Sequence, residues 1–226
     1  MISMRNERAP NGYQIRSLVQ EVGKCREGAL YQQRLEDDVT AFAVIDVTTE
    51  PMVTGNYVDD IIETLADDPG QLRRPLAVFE SLNRRYCDDP VPVFAHVLAA
   101  AIDERTHRLT FSNAGLHPVF LRRKNGQLDH LGVDGIGLPL GIDRGSQFHC
   151  GDCDLEIGDM LMMLGVGMAT ALDTEDELGI DRILKIYSSG DGVDEVALQI
   201  ELAIAQQTDQ DVIESDRIGL LLQRVA

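Results

Sequence analysis

The sequence predicts an α+β domain in which antiparallel strands lie in layers against helices. Two observations favour this class. Apolar runs with the spacing of strands follow one another directly between residues 93 and 131, and helical spacing is confined to separate stretches. Because strands and helices do not alternate as βαβ units, a doubly wound parallel sheet is not expected.

The first predicted elements are one strand and two helices. The apolar run Phe42 to Ile45 is typical of a buried strand and ends at Asp46, which it would deliver at its tip. Apolar residues then recur with helical spacing in Tyr57 to Leu65 and in Leu76 to Tyr86. The chain is therefore expected to form two successive helices after this strand.

Strand spacing dominates the next part of the chain. Strands are predicted at Val93 to Ile102 and at Arg108 to Ser112. Asn125-Gly126 suits the positive φ angles of a tight turn, so a hairpin is expected around it. The remaining predicted elements are the hairpin strands Val119–Arg122 and Gln127–Leu131, a strand pair within Leu155–Leu164 broken at Gly158-Asp159, a helix at Val193–Ala205 and a strand at Ile218–Val225.

Length and composition indicate one globular domain and exclude several partner classes. The 226 residues contain 44% hydrophobic and 26% charged residues, which are ordinary values for a folded domain. The formal net charge of −18 repels phosphate backbones and anionic lipid, so neither nucleic acid nor a membrane is an expected partner. Residues 1–226 are therefore expected to form one soluble domain.

The ends of the chain and its apolar stretches favour a cytoplasmic location. Residues 1–12 are polar, lack the apolar core of a signal peptide and are expected to form a flexible tail. The longest apolar stretch, Met160 to Leu172, is shorter than the roughly 20 residues that span a bilayer. It is predicted to form a buried strand and a turn.

Three residues leave a metal or redox site open as an alternative. His149, Cys150 and Cys153 have the spacing of half a zinc site or of a redox pair. Zinc needs four ligands from converging elements, and Cys25 and Cys87 are single and distant in sequence. A turn between two strands, carrying reduced thiols, is the favoured interpretation.

Several short motifs occur in an order that resembles the PPM family of metal-dependent serine/threonine phosphatases, in particular the bacterial branch typified by the sporulation stage II protein E phosphatase. The resemblance runs from about Glu21 to Val225 and implies a four-layer α/β/β/α sandwich of two antiparallel sheets flanked by helices. The motifs are Leu82-Asn83-Arg84, Asn113-Ala114-Gly115-Leu116-His117-Pro118, Leu138-Pro139-Leu140-Gly141, Ile157-Gly158-Asp159 and Leu178-Gly179-Ile180-Asp181-Arg182-Ile183.

The same resemblance implies a metal site and assigns residues to it. Family members bind two Mg or Mn ions through aspartates on four segments, and the ions activate a water for attack on phosphoserine or phosphothreonine. Two of these positions match Asp46 and Asp216, the second in Asp216-Arg217-Ile218-Gly219, where the family has Asp-Asp-x-Thr. The other two match Cys25 and Val166, which give a hard cation no carboxylate oxygen.

The resemblance therefore implies a degenerate phosphatase, a pseudophosphatase that binds a protein partner and needs no cofactor. The implied partner is a STAS-type anti-sigma-factor antagonist, or its kinase, in a bacterial partner-switching pathway. The alternative is a weakly active Mn- or Mg-dependent phosphatase that uses Asp46, Asp216 and either Glu27 or Asp38 around one metal.

Overall fold

Two antiparallel five-stranded sheets lie face to face in the computed structural model of the chain. The structure describes residues 9–21, 27–49, 56–73, 75–174, 177–207 and 215–226. In these residues the strands are β1 Tyr13–Gln20, β2 Gly28–Leu35, β3 Val39–Thr49, β4 Val93–Asp103, β5 Arg108–Ala114, β6 Val119–Arg122, β7 Leu128–Leu131, β8 Cys150–Asp154, β9 Met160–Leu164 and β10 Arg217–Arg224.

The sheets differ in strand order and in the helices that cover them. The first sheet has the order β1-β10-β9-β6-β7, and the second has the order β2-β3-β4-β5-β8. The helices are α1 Tyr57–Asp67, α2 Pro75–Cys87, α3 Val166–Thr170, α4 Gly179–Ser189 and α5 Val193–Gln206. Helices α1 and α2 pack on the second sheet, and α3, α4 and α5 pack on the first. The expected four-layer α/β/β/α sandwich is therefore confirmed.

Strand β3, which lies between β2 and β4 in the second sheet, is buried on both of its faces. Phe42 and Val44 pack between the sheets, whereas Ala43 and Ile45 pack against the helices of the second sheet. Successive side chains of a strand point to opposite faces, so Asp46 faces the space between the sheets. The apolar run that precedes Asp46 thus aims its carboxylate into the middle of the sandwich.

Two predicted strand boundaries were wrong. Strand β3 does not end at Asp46, because Val47 to Thr49 continue the ladder with β4. The strand pair expected within Leu155–Leu164 does not form, since its first strand is Cys150–Asp154, which is β8 and pairs with β5 in the second sheet, whereas Met160–Leu164 is β9 of the first sheet. The favoured interpretation of this cysteine segment as a turn is therefore also wrong.

Other elements carried no prediction. The strands β1 and β2 include several polar residues, and β1 alternates between buried and exposed positions. The expected flexible tail was too long, because Pro10 is buried and the Gly12 carbonyl oxygen accepts a hydrogen bond from the Val225 N–H at 2.8 Å. Residues 1–8 lie outside the described residues. No helix in the described ranges is long and apolar enough to span a bilayer.

The buried side chain of Asn113 organises the loop after β5. Its amide nitrogen donates to the carbonyl oxygens of Leu116 and His117 at 3.0 and 2.8 Å. Its amide oxygen accepts from the Leu116 N–H at 2.9 Å. Gly115, at a φ of +83°, lies so close to Pro139 that a Cβ would come within 2.5 Å of the proline ring. The Asn-Ala-Gly motif is thus a structural latch.

A second motif latches helix α2 to the neighbouring loop. The Asn83 amide oxygen accepts from the Gly141 N–H at 2.9 Å, and its amide nitrogen donates to the Asp143 carbonyl oxygen at 2.9 Å. Gly141 has a φ of +92°, and a Cβ there would come within 2.1 Å of the Val93 carbonyl oxygen. The Leu-Asn-Arg and Pro-Leu-Gly motifs therefore meet and hold α2 against the start of β4.

Substituting Asn113 tests the first latch. Asn113→Ala leaves three backbone groups without their partners, so we expect the free energy of unfolding to fall by about 2–3 kcal/mol. The exposed Asn125, which accepts one hydrogen bond from the Gln127 N–H, supplies the matched control, and Asn125→Ala should cost less than about 1 kcal/mol. Urea denaturation followed by circular dichroism measures both values. Equal losses in the two variants would contradict the latch.

Candidate functional site

Asp46 and Asp216 meet at one end of the space between the sheets. Both side chains are buried, with exposed fractions of 5% for Asp46 and 3% for Asp216. The Asp46 carboxylate accepts a hydrogen bond from the Val166 N–H at 2.9 Å. The first peptide N–H group of α3 therefore points at this carboxylate.

Asp216 is held in a corresponding way by the start of β2. One oxygen of its carboxylate accepts from the N–H groups of Glu27 and Gly28 at 3.0 and 3.2 Å. Gly28 is the register partner of Asp46 in the ladder between β2 and β3. The Glu27 carbonyl oxygen accepts from the Val47 N–H at 2.7 Å, which ties the same segment to β3. The two carboxylates thus share a frame of backbone hydrogen bonds.

Small residues allow this close approach. A Cβ on Gly165 would lie 3.2 Å from an Asp46 carboxylate oxygen, and one on Gly167 would lie 2.4 Å from the Asp216 carbonyl oxygen. The Gly165 N–H also donates to the Ile218 carbonyl oxygen at 2.8 Å. Gly165-Val166-Gly167 therefore lets α3 begin directly against both aspartate segments.

The charges around Asp46 oppose one another. Burial raises the pKa of the Asp46 carboxyl above its ordinary value, and the negative charge of Asp216 acts in the same direction. The nearby His96 and the N–H groups of Val166 and Gly167 lower that pKa. The histidine and the peptide dipoles compensate the buried carboxylate only in part, because the net effect on its pKa is a rise.

His96 is a site residue that the sequence did not single out. It is the register partner of Asp46 between β3 and β4, and its Nδ1 lies 3.0 Å from the Gly115 carbonyl oxygen. The available signal was a single polar residue within the apolar run of β4. This position, level with an aspartate on the adjacent strand, is visible only once the strand register is known.

Only some of the other residues assigned to the site lie in it. Val166 lies in the site, but it offers its peptide N–H, while its side chain packs against the core between the sheets. Glu27 lies there through its backbone. Cys25 falls outside the described residues.

Asp38 is at the opposite end of β3, about 25 Å from Asp46 at ~3.3 Å per residue, and it pairs with Arg34 and Arg105. Asp38 therefore cannot share a metal with Asp46.

The structure does not bring the zinc or redox residues together. Cys150 and Cys153 are three positions apart on β8, so their side chains point to opposite faces and their Cα atoms are about 10 Å apart. A disulfide spans less than about 7 Å between Cα atoms. Neither His149 with these cysteines nor any other group of three or more His, Cys, Asp or Glu residues is arranged to bind a metal within the described part of the chain.

Thiol reactivity tests this placement. Burial raises the pKa of Cys153 to about 11, so its thiol is almost wholly protonated at pH 8. We expect iodoacetamide to label the exposed Cys150 first, and the labelling rate of Cys153 to rise about tenfold per pH unit between pH 8 and 10. Peptide mass spectrometry measures both rates. A native disulfide between the two residues, or stoichiometric zinc by elemental analysis, would be incompatible with this arrangement.

Comparison with known proteins places the fold. The sequence profile of the family described as stage II sporulation protein E (SpoIIE) matches residues 53–225. No curated protein sequence matches the chain. The solved structures below are 14–18% identical to the chain, so their likeness concerns the fold alone.

Three of these structures illustrate the match. RsbX in complex with magnesium has a TM-score of 0.67 at 14% identity, over 93% of this chain and 94% of that one. The RsbU and RsbW domains of Rv1364c from Mycobacterium tuberculosis give 0.75 at 18%, over 95% of this chain and 60% of that one. A PP2C phosphatase domain with a regulatory fragment of SpoIIE from Bacillus subtilis gives 0.74 at 15%, over 93% and 62%. With the family profile covering more than half of its length, the chain belongs to the stage II sporulation protein E family of PPM phosphatase folds.

Proposed function

We propose that this chain is a pseudophosphatase, a PPM phosphatase fold that binds a protein partner without hydrolysing its phosphoester. One observation carries the proposal. The Asp46 carboxylate, which the family resemblance assigns to the metal site, accepts a hydrogen bond from the peptide N–H group of Val166. This N–H group occupies an acceptor site on one carboxylate oxygen that a cation would otherwise use.

The donors around this carboxylate do not fit a pair of divalent ions. Two such ions about 3.7 Å apart repel each other by about 20 kcal/mol even at an effective dielectric near 20. Anionic oxygen ligands must offset that repulsion, and hard Mg or Mn accepts thiolate poorly. Of the described positions that the resemblance matches to metal ligands, Asp46 and Asp216 supply carboxylates, whereas Val166 supplies an apolar side chain. These positions carry too little negative charge for two metals.

The proposed partner is a protein of a partner-switching pathway. The family resemblance implies a STAS-type anti-sigma-factor antagonist, or the kinase that acts on it, and a cytoplasmic place of action. One solved relative joins RsbU and RsbW domains in a single chain, which supports the link between this fold and regulatory protein modules. A pseudophosphatase would then act by binding its partner rather than by dephosphorylating it.

Hydrolysis assays test the proposal directly. With millimolar Mn, the turnover of p-nitrophenyl phosphate and of a phosphoserine peptide should stay at background, because no metal-bound nucleophile forms. Asp46→Ala should leave that background unchanged. A clear turnover that Asp46→Ala abolishes would overturn the proposal.

The weakly active phosphatase remains the second candidate, because Asp46 and Asp216 do converge and the Glu27 backbone lies beside them. One Mn bound by these residues would support it. Calorimetry distinguishes the two functions: the pseudophosphatase predicts no Mn binding tighter than about 1 mM. Tight Mn binding that disappears in Asp216→Ala would favour the active enzyme.

The role of Asp46 in stability is a further test. In the proposed state its carboxylate is the acceptor for the Val166 N–H group, so Asp46→Ala should lower the free energy of unfolding by about 1–2 kcal/mol in EDTA. Asp46→Asn keeps an acceptor oxygen and should lower it less. If the Asp46 carboxylate served only to bind cations, Asp216 would repel it once EDTA had removed them. Its removal would then not lower the free energy of unfolding. Urea denaturation in which Asp46→Ala is as stable as the parent, or more stable, would therefore contradict the proposed state.

A further inference from the structure

A cavity lies on the helix side of the first sheet, away from the two aspartates. Its volume is about 310 Å³. Its walls include Leu18, Gln20, Met168, Glu201, Ile204 and Arg217, and we call it the α5 pocket. Arg217 and Leu221 point to this side of β10, whereas Ile218 points between the sheets.

Arg217 is a buried cation without a counter-charge in the described residues. It is 9% exposed, and the only hydrogen bond that its side chain makes to a described residue runs from Nη1 to the Gln20 side-chain oxygen at 2.9 Å. Its Nε is buried and has no acceptor in the described part of the chain. No described carboxylate lies within ion-pair distance of it, although Glu201 lines the same pocket. Burial lowers the pKa of the guanidinium below its ordinary value.

This arrangement is costly for the chain by itself. A buried charge with one neutral acceptor and no counter-charge loses more hydration than that hydrogen bond restores, and a neutral side chain of similar size would be more favourable. The shortage of counter-charge is local, because the sequence contains 38 Asp and Glu residues. An anion from outside the chain would complete the pocket, and a guanidinium binds an oxyanion through charge-assisted hydrogen bonds.

We propose that the α5 pocket binds the carboxylate of an apolar acid, with Arg217 as its anchor. Leu18, Met168 and Ile204 provide an apolar wall for the body of such a ligand. Glu201 and the net charge of −18 oppose a phosphate dianion more strongly than a single carboxylate. The site goes beyond the pseudophosphatase proposal, because it does not use Asp46 or the carboxylate of Asp216 and is independent of hydrolysis.

Calorimetry with octanoate on the whole protein tests the pocket. We expect octanoate to bind with one site per chain, and octanol, octylamine and inorganic phosphate to bind at least about tenfold more weakly. A leucine-ending peptide with a free carboxylate, compared with its amide, distinguishes a protein terminus from a free acid as the source. Tighter binding of the peptide acid than of octanoate assigns the terminus, and the reverse assigns the small acid. Absence of binding by both acids, or phosphate binding as tightly as either, would overturn the proposal.

Variants assign the binding to Arg217. Arg217→Met removes the charge but keeps much of the volume, so octanoate affinity should fall at least about tenfold. The midpoint of urea denaturation should stay the same or rise, because a buried unpaired charge is removed. Arg108→Met, at an exposed arginine on β5 of the second sheet that pairs with Asp152 and Asp154, is the matched control and should leave binding unchanged. Equal octanoate affinities in the parent and in Arg217→Met would show that Arg217 does not anchor the carboxylate.

Discussion

Two buried carboxylates held side by side by backbone N–H groups form the constraint on which the site depends. Asp46 takes a hydrogen bond from the first N–H group of α3, and Asp216 takes two from Glu27 and Gly28 at the start of β2. Peptide N–H groups carry only partial positive charge, so they stabilise a carboxylate without polarising a water molecule as a divalent ion does. The same contacts fix α3 and β2 against β3, which gives both aspartates a structural role even in a chain that performs no hydrolysis.

Much of the fold follows from local patterns in the sequence. The apolar run before Asp46, the helical spacing of α1 and α2, and the Asn-Gly hairpin are local signals, and the structure contains each element. The motif order identified the family because its residues perform structural tasks, such as the Asn113 and Asn83 latches. Such tasks preserve residue type at a fixed spacing, which makes them visible in one sequence.

Features that depend on pairing across the fold could not be predicted in this way. His96 gains its place only through the register of β3 with β4, and Cys150 and Cys153 are separated only because they lie on one strand. The strands β1 and β2 lack a continuous apolar run, and their pairing with distant segments completes them. The buried Arg217 stood out in the sequence only as a departure from a motif, since its burial depends on α5 packing over the first sheet.

The central claim is that peptide N–H groups, rather than cations, satisfy Asp46. A crystal structure of the protein grown in millimolar Mn tests it most directly. The account predicts that the Asp46 carboxylate still accepts from the Val166 N–H group, with no pair of ions between the sheets. Two well-occupied Mn ions sharing Asp46, with α3 withdrawn from its carboxylate, would contradict it.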